Sequence, residues 1–181
     1  MTRLGVPLDQ AEVFLKEANQ IESIELEGLY SHFATADEGD LSYANSQLSK
    51  FNEVVKIARK LDIYPTFIHC SNSGAILNVK ESKFNMVRAG MLLYGAFPSD
   101  EVPQELPIKP VMTFTAPVVE IRDVKAGTHI SYGGVYTTKS DTRIAVVQAG
   151  FADGVPRPWY IDGFVKFKDQ NFKITGRICI C

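Results

Sequence analysis

An α/β region followed by an all-β region is the fold class that this sequence predicts, on three observations. The first hundred residues alternate strand-like and helical patterns as strand, helix, strand, short helix, strand, which is the rhythm of a parallel sheet with helical crossovers. Pro98, Pro103, Pro107 and Pro110, with acidic residues among them, then form a stretch that supports neither a helix nor a central strand. Beyond it, Val111 to Val124, Arg143 to Gln148, Gly163 to Lys168 and Phe172 to Cys181 are β-branched or aromatic runs broken by Gly, Asp and Asn turns. The predicted domains are a partial α/β region over 1–97, a Pro-rich linker over 98–110 and a β domain over 111–181.

The elements follow in order. From Leu8 to Ile21, Leu8, Ala11, Val13, Phe14, Leu15 and Ala18 fall mostly at helical spacing with Glu and Lys between them, predicting an amphipathic helix. Ile24 to Phe33 turns strand-like, with Gly28 allowing close packing. Leu41 to Leu61 is the longest helical pattern, its broad apolar face carrying Leu48, Phe51, Val54 and Val55. Pro65 to His69 is a short apolar strand, and Asn72 is a good N-cap for a short helix running through Leu77. Phe84 to Val87 is predicted to be a buried strand that ends at Arg88.

Composition excludes several function classes. The chain is 181 residues long with 45% hydrophobic residues, enough for an ordinary core. With 19 Lys and Arg against 21 Asp and Glu, charges are spread along the length rather than gathered in a basic stripe, so nucleic acid is not an expected partner. There is no apolar run of membrane-spanning length and no signal-peptide pattern at the start, so the expectation is a cytoplasmic, soluble protein. Cys70, Cys179 and Cys181 do not read as a disulfide framework, and Cys179-x-Cys181 lacks the spacer and second pair of a zinc site, so no metal is expected.

Ligand groups in parallel α/β folds gather at the carboxyl ends of the strands. His32, His69, Ser73, Arg88 and Gly90 all sit at or just beyond predicted strand ends. A lone histidine is more often a satisfied core or surface group; two of them on one rim with Arg88 shift that balance. Asn72-Ser73-Gly74 offers a hydroxyl and helix-start amides to an anion, and Gly90 with the Met91 amide offers more, so phosphate binding is the better combined reading. In the β region, Ser131-Tyr132-Gly133 lies in a Gly-rich loop. Its tyrosine either covers the edge of the core or presents a phenol as acid or base, a role that needs a neighbouring cation or hydrogen-bond donor. The loop from Gly150 to Arg157 reads on its own as a β-turn with a surface arginine.

Taken together these motifs resemble the alanine racemase family. The resemblance rests on Met1 to Val6, Ser31 to Glu38, His69 to Ser73, Val87 to Gly95, Val124 to Gly127 with Ser131 to Gly133, Gly150 to Gly154 with Arg157, and Gly176 to Cys179. It implies the C-terminal part of a pyridoxal-phosphate (PLP)-binding (β/α)8 barrel followed by part of a β-strand domain. It also implies interconversion of L- and D-alanine with PLP by a two-base mechanism, supplying D-alanine for peptidoglycan. Arg88 would address the ring nitrogen of PLP, with His69 holding Arg88. Ser73, Gly90 and Met91 would bind its phosphate. Arg3 would lie near the cofactor and the substrate carboxylate. Tyr132, supported by His32, would be one of the two bases and would act in the partner subunit's site of a homodimer. Asp37, Phe151 and Arg157 would line the substrate entrance.

The chain departs from the family's pattern in three ways. The lysine that anchors the cofactor lies in the family's N-terminal strand, and none of the lysines here matches its motif. Phe151 stands where the family has Tyr, and Ile180 and Cys181 stand where it has Met and Asp. A complete eight-stranded barrel needs roughly 250 residues, so the expectation is a central-to-C-terminal piece, inactive when isolated. The alternatives are a racemase for serine or other amino acids, or a non-catalytic PLP-binding fragment.

Overall fold

The structure, a computed structural model, describes all 181 residues and divides into two units, Met1–Thr113 and Phe114–Cys181. In the first unit, a 3-10 turn at Leu8–Gln10 leads into helix α1, Ala11–Asn19. Its buried residues Ala11, Leu15 and Ala18 recur at the spacing of one helical face. Helix α2, Ser42–Lys60, buries Ala44, Leu48, Phe51, Val55 and Ala58 at alternating steps of four and three, while Arg59 and Lys60 complement the negative end of the helix dipole.

Strands β1, Gly28–Tyr30, and β2, Phe67–His69, pair in parallel with Tyr30 opposite His69. Both are shorter than the predicted Ile24–Phe33 and Pro65–His69. Ahead of β1, Ile24 N–H turns back to Ile21 O and Glu27 N–H to Glu25 O, so inter-strand bonding extends only from Glu27 O to Ser31 N–H. Gly28 sits where a Cβ would lie 3.2 Å from Phe67 O, which is the close approach expected of it. Leu29 and Ile68 turn from the sheet toward α2, where they pack against the main core of Phe33, Leu48, Phe51, Val55, Cys70 and Val79.

Phe84 to Val87 is not a strand. Phe84 takes a positive φ of 42°, and the Asn85 side chain does the work of a backbone: its Oδ1 accepts from Ile68 N–H at 2.8 Å and its Nδ2 donates to Thr66 O at 2.7 Å. Regular pairing is thereby replaced by a side-chain bridge, which a polarity pattern does not reveal. Arg88 N–H nevertheless reaches Ser71 O at 2.9 Å, so the stretch still runs along β2.

Helix α3, Ser73–Asn78, starts as expected: Asn72 Oδ1 accepts from Ala75 N–H at 3.0 Å. Replacing Asn72 with Ala should lower stability by about 1 kcal/mol. A urea titration of the two proteins reads this as a shifted midpoint at unchanged slope.

The second unit is built from strand pairs. Strands β3 (Val118–Val124) and β6 (Thr142–Val147), β4 (His129–Ile130) and β5 (Tyr136–Thr137), and β7 (Phe164–Phe167) and β8 (Gln170–Lys173) each form an antiparallel pair. The predicted all-β character is present with shifted bounds: β6 and β8 start at Thr142 and Gln170, ahead of the predicted Arg143 and Phe172, and β6, β7 and β8 stop before their predicted ends, whereas β3 reaches Val124. The run from Val111 becomes regular only at Val118, and the run from Phe172 ends at Lys173, short of Gly176 with its φ of +81°. No helix of the chain is long and apolar enough to cross a membrane.

Candidate active site

The carboxyl ends of β1 and β2, the start of α3 and the stretch from Arg88 to Leu92 meet on one rim of the first unit. Arg88 organises it. Its guanidinium donates through NH1 to His69 Nδ1, and through NH2 to Ser31 O at 2.8 Å and to His32 Nδ1 at 3.2 Å. A guanidinium has only donors, so both imidazoles must accept through Nδ1, which leaves their protons on Nε2. Both rings are therefore neutral, and Arg88 Nε–H remains the one donor group without a partner in the chain.

The electrostatics agree. Burial first, and the Arg88 charge second, lower the pKa of His69; His32 is lowered by the same two causes and further by Arg3 and the terminal amine. A histidine lowered in the folded state binds its proton more readily when unfolded, so its contribution is intact above about pH 6.5 and is lost as pH falls below it. The chain should lose stability between pH 7 and pH 5. Urea midpoints measured across that range should fall less in His69→Gln, which keeps a polar group but cannot titrate.

Tyr30 closes the cluster. Its ring stacks on His69 with centroids 5.6 Å apart and planes 9° from parallel, and the Arg88 guanidinium lies 5.6 Å from its centroid. Cys70, the next residue after His69, is not a nucleophile: burial pushes its thiol up to about 11, against the pull of Arg88, and its Sγ donates to Ser82 O at 3.4 Å.

Ser73 forms the second centre. Its Oγ accepts from Gly90 N–H at 2.9 Å and from Leu92 N–H at 3.4 Å, so the hydroxyl proton is left to donate outward. The Met91 N–H, in the first turn of the 3-10 helix Met91–Tyr94, is a donor that such a turn leaves without an internal partner. Asp37 stands beside this centre, because Gly74 approaches it so closely that a Cβ would lie 2.8 Å from Asp37 N. The Asp37 carbonyl accepts from Ser99 Oγ, and Glu101 Oε2 accepts from Gly39 N–H at 2.6 Å, so residues 99–101 brace the loop that carries Asp37. Arg3 is exposed and makes no ion pair within the chain.

In the second unit, Tyr132 opens a tight turn, Tyr132–Gly134, and is 68% exposed. The loop Phe151–Asp153 is held by Phe151 N–H to Cys179 O at 2.9 Å and Ala152 N–H to Ile180 O at 3.0 Å. Arg157 lies 5.1 Å from the centroid of the Phe151 ring and has no acidic partner. Phe151 thus presents its face to Arg157 where a hydroxyl would have offered an oxygen.

Comparison with known proteins decides what this arrangement belongs to. The family model "Alanine racemase, N-terminal domain" matches residues 1–98, and "Alanine racemase, C-terminal domain" matches residues 111–180. The chain belongs to the alanine racemase family. It is 40% identical over 180 residues to the alanine racemase of Halothermothrix orenii, covering 99% of this chain and 48% of that protein. Among solved structures, the alanine racemase of Clostridium difficile 630 matches with a TM-score of 0.90 at 35% identity, over 99% of this chain and 47% of that one. The Bartonella henselae alanine racemase, solved with covalently bound pyridoxal phosphate, matches with a TM-score of 0.80 at 27% identity, over 99% of this chain and 48% of that one. The chain spans about half the length of the curated relatives it matches.

Within the family reading, the sequence pointed to Arg88, His69, His32, Ser73 and Gly90, and the structure brings them together on one rim. It missed three contributors. Tyr30 lies opposite His69 in the strand register, and its only signal is its place two residues before His32, at the end of the strand that leads to it. Leu92 and Ser31 act through the backbone, and nothing in their side chains advertises it.

Proposed function

We propose that this chain supplies the cofactor-facing rim and the β domain of an alanine racemase that interconverts L- and D-alanine with PLP. The observation that carries the reading is the donor count around Arg88: NH1 and NH2 are taken by His69, Ser31 and His32, and Nε–H is left for a ligand atom with a lone pair. A pyridine nitrogen is such an atom. Because an arginine keeps its proton, the nitrogen it meets stays unprotonated.

The residues fit the other end of PLP as well. Ser73 has its proton free, and Met91 N–H stands beside it. A Cβ at Gly90 would meet only Ser73 Oγ, at 3.7 Å, so the space there is open to an oxyanion. When bound, PLP supplies the conjugated ring that delocalises the electron pair left at Cα. Arg88 would leave the ring nitrogen unprotonated and so limit that delocalisation, which would disfavour side reactions. His69, stacked on Tyr30, holds one arm of the guanidinium. His32 and Ser31 O fix its other arm.

Tyr132 is the proposed base on one face of Cα, since racemisation needs a proton removed on one side and returned on the other. In this reading the enzyme is a cytoplasmic homodimer, Tyr132 serves the partner subunit's site, and the barrel architecture is completed by residues outside the 181. D-alanine is its product for cell-wall synthesis. Arg3 lies near the cofactor and the substrate carboxylate, and Asp37, Phe151 and Arg157 line the substrate entrance.

The test is a hybrid in which these residues replace the matching 48% of the Halothermothrix orenii protein. A soluble, PLP-loaded hybrid should form D-alanine from L-alanine and prefer alanine to serine. The chain by itself, incubated with PLP and L-alanine, should yield no D-alanine above a protein-free control. A folded, loaded hybrid that turns over neither amino acid contradicts the reading.

A further inference from the structure

Tyr132 has no side-chain hydrogen bond in the chain and is largely exposed, so within the chain it is the backbone of the turn that positions it. That backbone is unusual. Ser131 has φ 62° and ψ −175°, a region that residues other than glycine rarely occupy, and Gly133 on the other side has φ 73°. A residue persists in such a conformation only where its surroundings over-determine it, and such residues cluster at functional sites.

The surroundings of Ser131 do so from three directions. Its Oγ donates to Arg177 O at 2.8 Å, and its own carbonyl accepts from Gly134 N–H at 3.2 Å, closing the turn. Gly176 approaches so closely that a Cβ there would lie 2.6 Å from Ser131 Cβ and 3.1 Å from Ile130 O. Gly176 itself needs its φ of +81°. Behind the turn, Gly134 rests on the His129 ring, where a Cβ would be 3.3 Å from Nδ1, and Thr137 Oγ1 holds that nitrogen at 3.0 Å.

We infer that Ser131 and Gly176 are positioning residues for Tyr132: the serine hydroxyl and the close approach of the glycine clamp the turn that aims the phenol. The inference rests on the reading of Tyr132 as a proton-transfer residue, and its test is independent of activity. In the isotopically labelled full chain, the Tyr132 ring signals are assigned by their loss in Tyr132→Phe. The wild-type chain should show one sharp set of ring signals and a proton contact between Ser131 Hβ and Gly176 Hα.

Ser131→Ala should broaden or split the Tyr132 ring signals and speed exchange of the Gly134 amide at least tenfold, while signals of β3 and β6 stay in place. Ser131→Cys, which keeps a donor at the same position, should restore much of the wild-type pattern. Gly176→Ala should act as Ser131→Ala does; if it unfolds the unit, Ser131→Ala decides. Tyr132 signals that are unchanged in Ser131→Ala, or already broadened or split in the wild-type chain, overturn the inference. Full racemisation by a Tyr132→Phe hybrid would instead remove the role given to Tyr132 and leave the clamp standing.

Discussion

Arg88→Ala in the hybrid should cut racemisation by about 10²–10³-fold, the scale of losing one preorganised charged donor at a reacting group. The same substitution in the chain alone should cost about 2–3 kcal/mol of stability, because it removes hydrogen bonds from a charged donor to His69, Ser31 and His32 at once. Urea titration reads the second effect. Arg88→Lys separates geometry from charge: an ammonium cannot hold two arms and a third donor in one plane, so most of both losses should remain. A lysine variant as active and stable as the parent would mean that charge alone matters at this position.

Tyr132→Phe is the second large effect, and it should be confined to chemistry. Removing a general base costs about 10²–10⁴-fold, whereas loss of a hydroxyl that is exposed and unbonded should shift stability by no more than about 0.5 kcal/mol. A two-base mechanism makes the loss asymmetric. In deuterated water the hybrid variant should still exchange the Cα proton of one alanine enantiomer while losing exchange of the other. Equal loss for both enantiomers would argue that the tyrosine acts on binding rather than on one face.

What was legible in the sequence followed from periodicity and from local side-chain chemistry. The two helices and the Asn72 cap were readable because a buried stripe and a capping amide leave their mark within a few residues. The rim was readable because in a parallel pair the same ends of the two strands lie together, which puts His69 at the end of β2 beside His32 just past β1. The stretch from Phe84 misled because apolar composition resembles a strand, while Asn85 supplies the bridging bonds through its side chain. The roles of Ser31 O, Leu92 N–H and the Ser131 backbone depend on φ, ψ and main-chain atoms that every residue carries, so sequence alone does not single them out.

The hinge of the account is that Arg88 meets a ring nitrogen and leaves it unprotonated. The most direct measurement uses PLP labelled with 15N at the ring nitrogen, loaded into the hybrid and observed by nitrogen NMR near neutral pH. The account predicts the chemical shift of a neutral, hydrogen-bonded pyridine, moving toward that of a pyridinium when Arg88 is replaced by Glu. A pyridinium shift in the unsubstituted hybrid, unaffected by Arg88→Glu, would contradict it.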